Sequence, residues 1–488
     1  MATSFVNALQ AEFYEDNDAL TENGANVYQS TKSLVLDFFS KGGALRTRPE
    51  NEITHIFDLA FSENPELAVK AMFYFRDVRG GQGERRTFNI LLNHVANNHP
   101  EIIMKNLRLV AEYGRWDDLL SLIDTPVEAA MFEIVSDQLM ADVGAERPSL
   151  LAKWLKSENT SSPASRAIAY KTRKALGLNS KEYRKTLSAL RKTINIVETK
   201  MSNGEWTEIN YEQLPSKAGM LYRKAFRNHD SARYDEFLEA VENGDAKINT
   251  GTLYPYDIVT KVLYNGATEK TLDVMWNNLP NYMEGSETNG LVVVDVSASM
   301  AGLPMAVAIS MGMYISERTT GLFKDKFITF SESPTLETLD GDDIFSRIRN
   351  LKSATWGFNT NLEAVFDVVL NAAVKSGASQ ADIPSHLYIV SDMEFDNAMG
   401  HGSNPTAKLF DIIRMKYKAV GYEMPMLVFW NVDSRNDQSP MTMDERGFQM
   451  VSGCSPSILT SLLANKSVSA YDLMVEVLNA DRYAPISV

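Results

Sequence analysis

Cysteine is almost absent from this 488-residue chain, Cys454 being the only one. One thiol closes no internal disulfide and builds no cysteine-based zinc site, and such usage fits a reducing compartment. Histidine is scarce as well. The six present (His55, His94, His99, His229, His386 and His401) form no HExxH pair and no tight cluster, which argues against a histidine-rich catalytic metal site. No apolar run approaches the roughly 20 residues that span a bilayer. The N-terminus, MATSFVNALQAEFYED, lacks the basic start and apolar core of a secretory signal. A cytoplasmic protein with no membrane partner is expected. There is also no Gly-x-Ser-x-Gly elbow, no phosphate loop and no serine with a histidine placed as its base, so the chain is expected not to be an enzyme.

What is present describes an ordinary globular protein: 44% apolar and 23% charged residues, with a length suited to two or three domains. The net charge of −15 speaks against nucleic acid, but the average hides a segregation. Between Lys153 and Arg227 there are 16 Lys/Arg and 6 Asp/Glu, which leaves 32 basic and 57 acidic residues for the rest. A basic region set in an acidic chain is what an anion-binding surface requires.

Residues 1–284 read as an all-α domain of helical pairs stacked like irregular, HEAT-like repeats. Segments 53–62, 66–77, 86–98, 101–113, 116–124 and 127–142 carry apolar residues at three- and four-residue spacing. Short punctuators separate them, among them Asn64-Pro65 and Asn98-His99-Pro100. Residues 285–488 change texture. Leu291–Val296 (LVVVDV) predicts a strand buried in a parallel sheet, and further strands at 323–330, 386–392, 425–432 and, at an edge, 447–453 alternate with helices. That alternation predicts a doubly wound α/β domain with its ligand site at the strands' C-terminal ends.

The first strand of that domain ends in Asp295-Val-Ser297-Ala-Ser299, just before a helix. The spacing puts a carboxylate and two hydroxyls on one turn. Hard cations such as Mg²⁺, or Mn²⁺ and Ca²⁺, take such oxygen ligands and keep waters in the remaining positions. Thr360, before the helix at 361, and Asp392, at the end of the strand HLYIVSD, belong to loops at the same end of the sheet and complete the candidate set. Asp396 is the fallback for Asp392. Read without metal, Asp295 and the serines cap a helix. Phosphotransfer is disfavoured because Ser297 stands where a second carboxylate is needed.

The basic region opens with a helical hairpin, RAIAYKTRKALGLNSKEYRKTLSALRKTI. Gly177 reads as a helix-terminating glycine and Ser180 as the next N-cap. Tyr183, Leu187, Leu190 and Ile194 share one face of the second helix, and Lys181, Arg184, Lys185, Arg191 and Lys192 the other. With Arg166, Lys171, Arg173 and Lys174 they form a candidate phosphate-binding surface, or a solvated face. Two more clusters stand out. Arg76-Asp-Val-Arg79-Gly-Gly-Gln-Gly-Glu-Arg85-Arg86 reads either as a phosphate-binding turn or as a plain interhelical one. Tyr113-Gly-Arg-Trp116-Asp-Asp reads as a packing corner or as a base-stacking platform.

The Asp-x-Ser-x-Ser turn, the threonine loop and the second aspartate together resemble the metal-ion-dependent adhesion site of von Willebrand factor A domains. Two departures from that family are visible. The threonine loop reads Gly-Phe-Asn-Thr-Asn, and Met393 follows Asp392 where glycine is usual. The order of helical repeats and then this domain resembles the Ro autoantigen (TROVE) family, and the motifs at 76–85, 113–118 and 183–211 are similar to those of its uncharacterised bacterial and phage relatives. In that family the repeats form a ring closed by the metal-site domain, and basic surfaces bind misfolded RNA ends and structured small RNAs. The resemblance implies a non-enzymatic protein whose partner is a small structured or single-stranded RNA. It also implies a metal site at which an acidic protein partner can complete the shell. A protein–protein adaptor using that metal, or a phage structural or assembly protein, is the alternative.

Overall fold

The computed structural model describes residues 18–285, 289–329, 334–353, 362–395, 409–464 and 469–488. The N-terminal part is helical, after a short antiparallel hairpin of β1 (Asp18–Leu20) and β2 (Asn26–Tyr28). Its helices begin where the sequence puts start signals. Asn64 caps the helix Pro65–Arg76, accepting from the Leu67 amide at 3.1 Å, and Pro100 opens the helix Pro100–Tyr113. Residues Leu67 through Arg76 are buried on every side, so this helix forms the centre of the helical core. The stretch expected as a helix at 116–124 is a 3-10 helix over Trp116–Leu122. Asp118 explains the tighter winding. Its carboxylate bonds back to the Arg115 amide at 2.9 Å while it is held by two arginines.

The C-terminal part is a six-stranded mixed sheet ordered β5-β4-β3-β6-β7-β8. The strands are β3 (Gly290–Val294), β4 (Lys326–Thr329), β5 (Leu336–Thr338), β6 (His386–Ser391), β7 (Met426–Asn431) and β8 (Phe448–Ser452). All pair in parallel except β5, which runs antiparallel along one edge. β8, as expected, is the other edge. The chain order reverses between β3 and β6, whose registers pair Val294 with Val390. In open α/β sheets such a reversal leaves a crevice at the strands' C-terminal ends.

The two parts share one core. Helix Leu34–Gly42 packs on β8, and helix Pro255–Leu263 packs on Leu303–Arg318. The latter is therefore covered by the sheet on one side and by the helical part on the other, which is why Ala306 through Ser316 are all buried. The C-terminus returns to the helical part, where Arg482 Nη2 reaches Asp77 at 2.6 Å and Tyr483 donates to it at 3.0 Å. A second, smaller core lies around Phe226, Tyr234 and Leu238.

Candidate functional site: strand ends and a basic hairpin

Asp295 stands at the end of β3 beside Ser391 and Asp392 at the end of β6. Its amide donates to the Val390 carbonyl at 3.1 Å, so the strand pairing itself fixes its position. Its carboxylate is fully buried and accepts from the Ser297 amide at 2.9 Å and the Ser391 hydroxyl at 2.6 Å. Burial first, and then the charge of Asp392, push the Asp295 carboxyl up to about 6, against the bonds from Ser391 and Ser297. Ser297 Oγ and Ser299 Oγ are 2.9 Å apart, Ser297 buried and Ser299 exposed. Neighbouring ligands of an octahedral Mg²⁺, bound at 2.0–2.1 Å, stand roughly 2.8–3.0 Å apart, so the hydroxyl pair fits such an ion. Ser297 and Ser299 would bind it, with Asp295 orienting the turn and supplying charge.

Asp392 is also buried, but its charge is already met. Arg435 Nη2 donates to it at 2.7 Å, and Arg435 also pairs with Glu22 of the β1–β2 hairpin at 3.4 Å. Met393 adopts φ +68°, the left-handed region that glycine enters freely and methionine does not. The departure noted in the sequence is thus paid for as backbone strain at the turn that presents Asp392. Thr360 and Asp396 lie outside the described residues. Among the described residues no group of three or more His, Cys, Asp or Glu could hold a metal, so a site here depends on the serine oxygens. Sequence reasoning missed Arg435 and Ser391. Arg435 carries no motif, and only the sheet order brings it to Asp392.

The basic hairpin comprises the helices Pro163–Ala175 and Ser180–Ile194. Gly177, at φ +66°, ends the first turn region as expected. The second N-cap is Asn179 rather than Ser180. Its side chain accepts from the Lys181 and Glu182 amides, both at 3.0 Å, and Glu182 returns a bond to its amide. Tyr183, Leu187 and Leu190 are buried and Ile194 partly so.

Four of the nine candidate cations are engaged internally. Arg191, expected on the outer face, turns inward and donates at 2.8 Å to the Ala152 and Leu155 carbonyls and to Ser157 Oγ. It thereby satisfies carbonyls at the end of the helix Leu151–Trp154. Arg173 bonds Glu158 at 2.7 Å, Lys171 pairs with Asp124, and Arg166 donates to the Thr160 carbonyl at 3.1 Å. Lys174, Lys181, Arg184, Lys185 and Lys192 are exposed and make no ion pair among the described residues.

The two clusters at 76–86 and 113–118 meet. Arg76 and Arg85 both reach Asp118, at 2.7 Å each, and Arg85 and Arg115 reach Asp117 at 2.8 and 3.0 Å. The glycine turn between them closes on itself. The amides of Arg79 and Gly80 donate to Asp77, and those of Gln82 and Gly83 to the carbonyls of Tyr74 and Asp77. Gly83 takes φ +66°, and a Cβ there would meet the Tyr254 hydroxyl at 2.0 Å. The turn is an interhelical corner and not a nest for phosphate.

Two families match the chain. One is described as domain of unknown function DUF2828 and matches residues 21–149 and 148–287; the other, domain of unknown function DUF7788, matches 289–483. An uncharacterized protein, L728, of Acanthamoeba polyphaga mimivirus is 28% identical over 507 residues, covering 95% of this chain and 87% of that one. Among solved structures, the Ro (RSR) protein of Deinococcus radiodurans aligns over 92% of this chain and 93% of that one at 14% identity. Its TM-score is 0.33, and at that value the likeness bears on neither fold nor function. No helix of the described residues is long and apolar enough to cross a membrane.

Proposed function

The chain belongs to the family described as domain of unknown function DUF2828, and from that premise we propose that it is a non-enzymatic, Ro-like RNA-binding protein with a divalent-metal site in its α/β part. One observation carries the reading: Lys174, Lys181, Arg184, Lys185 and Lys192 stand exposed on one hairpin and make no ion pair among the described residues, in a chain of net charge −15. Unpaired cations on a packed helical scaffold attract a phosphate backbone and release its counterions. RNA, rather than DNA, is favoured by the resemblance of the domain order to the Ro family, the motifs at 76–85, 113–118 and 183–211 being similar to those of its uncharacterised bacterial and phage relatives. Support for a ring-like arrangement comes from the packing, since helices near both ends of the helical part rest on the α/β part. Support for a von Willebrand factor A-like domain comes from the strand order and its antiparallel edge. Mg²⁺ would be held by Ser297 and Ser299, with Asp295 supplying negative charge, Thr360 completing the set and Asp392, paired with Arg435, contributing only what that pair leaves over.

A second reading, an adaptor whose metal captures an acidic residue of a partner, is favoured by the exposure of Ser299, which leaves the ligand turn open on one side. The two readings separate in one experiment. The protein is purified from its native cell after ultraviolet crosslinking, and crosslinked peptides and RNA are sequenced. RNA attached to peptides of 163–194 supports the first reading. An absence of crosslinked RNA, with an acidic protein recovered in a Mg²⁺-dependent manner, supports the second.

A further inference from the structure

The corner where the sequence motifs at 76–86 and 113–118 meet is not neutral. Four cations (Arg76, Arg85, Arg115 and Lys156) converge on two carboxylates, Asp117 and Asp118. Asp118 and Arg76 are enclosed, with side-chain exposures of 0% and 3%, and form a structural pair. The surplus charge sits at the surface. The side chains of Arg85, Arg115 and Lys156 are 43%, 32% and 33% exposed.

Their donors are only partly used. Arg85 spends Nε and Nη2 on Asp118 and Asp117, and Arg115 spends Nε and Nη2 on Asp117. Neither Nη1 has a partner among the described residues. Lys156 stands 3.7 Å from Asp117, a loose pair that leaves its ammonium protons free. The Arg115 guanidinium lies 4.1 Å above the ring of Trp154, which fixes its plane. Burial, together with the neighbouring Arg85 and Arg76, holds that guanidinium below its ordinary value in spite of Asp117 and Asp118. Like charges this close are stabilised by an anion that two arginine forks and a lysine can share, and a phosphate group has the geometry for it.

The corner is also joined rigidly to the basic hairpin. The Tyr183 hydroxyl donates to the Lys156 carbonyl at 2.8 Å, and Arg191 clamps the carbonyls of Ala152 and Leu155 in the same segment. We propose that Arg85, Arg115 and Lys156 form a seat for one phosphate group, supplied by the backbone of an RNA strand that continues over the hairpin. The RNA source rests on the function proposed above; the seat itself rests on the geometry of the corner.

Two measurements on the full-length protein test it, using the double variant Arg85→Gln/Lys156→Gln. Thermal unfolding is followed in inorganic phosphate and in sodium chloride of equal ionic strength. Phosphate is expected to raise the midpoint of the wild type and not that of the variant; equal midpoints in the two salts for the wild type would overturn the seat. Binding of a fluorescent oligouridylate is then measured in a salt series. With about 0.7 per neutralised phosphate on a single strand, loss of this one seat should take about 0.7 from the slope in the variant. An unchanged slope, where the hairpin variant Lys181→Glu/Arg184→Glu/Lys185→Glu does lower it, would overturn the seat and leave the RNA reading standing. A phosphate effect in a wild type that binds no RNA would overturn the RNA source alone. Lys156→Gln by itself, which touches no buried pair, carries both tests should the double variant not fold.

Discussion

Two arginine-rich stretches of this chain look alike on paper and end differently. Around Asp117 and Asp118, Arg76 and Arg85 of RDVRGGQGERR and Arg115 of YGRWDD are drawn into a half-buried network. On the hairpin, Lys181, Arg184, Lys185 and Lys192 remain in water with no ion pair among the described residues. The difference lies in what each cation can reach. Two aspartates at a tight 3-10 turn gather the first group, whereas the acids nearest the second are spent. Glu158 is held by Arg173 and Ser180, and Glu182 by its own helix cap. A count of basic residues therefore does not define a binding face until the carboxylates and free carbonyls within reach are subtracted.

The comparison breaks most visibly at Asp118. Asp118→Ala removes the carboxylate that Arg76 bonds in a buried pair, together with the cap of the 3-10 turn, which should cost about 3–5 kcal/mol in urea unfolding. A loss below about 1 kcal/mol would mean that Arg76 finds another partner and that the network is not structural.

Asp295 tests the strand-end site through pH. Its carboxyl titrates at 3.8 in an open chain and at about 6 in the fold. The unfolded chain gives up the proton first, so stability contributed below pH 4 is lost as pH rises through 6, by about 3 kcal/mol. In chelator, Asp295→Asn should gain stability over the wild type by that order between pH 4 and 7.5. Mg²⁺ should stabilise the wild type at pH 7.5 and not the variant. A difference that is flat with pH would remove the buried charge from the account, and equal responses to Mg²⁺ would remove the metal.

Arg191 and Lys192 sharpen the contrast within a single turn. Arg191→Ala removes three hydrogen bonds to the segment 152–157 and should cost about 1–3 kcal/mol while leaving the salt dependence of RNA binding unchanged. Lys192→Ala should do the reverse, with stability within about 0.5 kcal/mol of the wild type and weaker RNA binding. Chemical unfolding and fluorescence anisotropy on the pair decide it; the opposite assignment would put Arg191 on the RNA.

Much of this was legible beforehand, for identifiable reasons. LVVVDV is a β-branched run too short for a helix, and it forms β3 with Asp295 at its end. The Tyr183–Ile194 stripe follows the helical period, and its buried face is the one expected. What stayed hidden depends on contacts between residues far apart in sequence. Nothing local shows that Arg191 faces the carbonyls of 152 and 155, because its position on the helix lies at the margin between the two faces. Nothing local shows that Arg435 reaches Asp392 across 43 residues, or that β1–β2 lies against the strand ends through Glu22 and Glu394. The left-handed turn at Met393 was foreshadowed only by the glycine expected in its place.

The central claim is that an RNA strand is held electrostatically by the outer face of the hairpin. A salt series by fluorescence anisotropy, comparing the wild type with Lys181→Glu/Arg184→Glu/Lys185→Glu, tests it most directly. Each phosphate contact contributes about 0.7 to the slope of log K against log salt, so the triple variant should lose about 2 from the slope and bind far more weakly. Its thermal midpoint should stay near that of the wild type, since none of the three side chains is buried. Equal slopes and equal affinities would contradict the account and reduce the basic face to solvated surface.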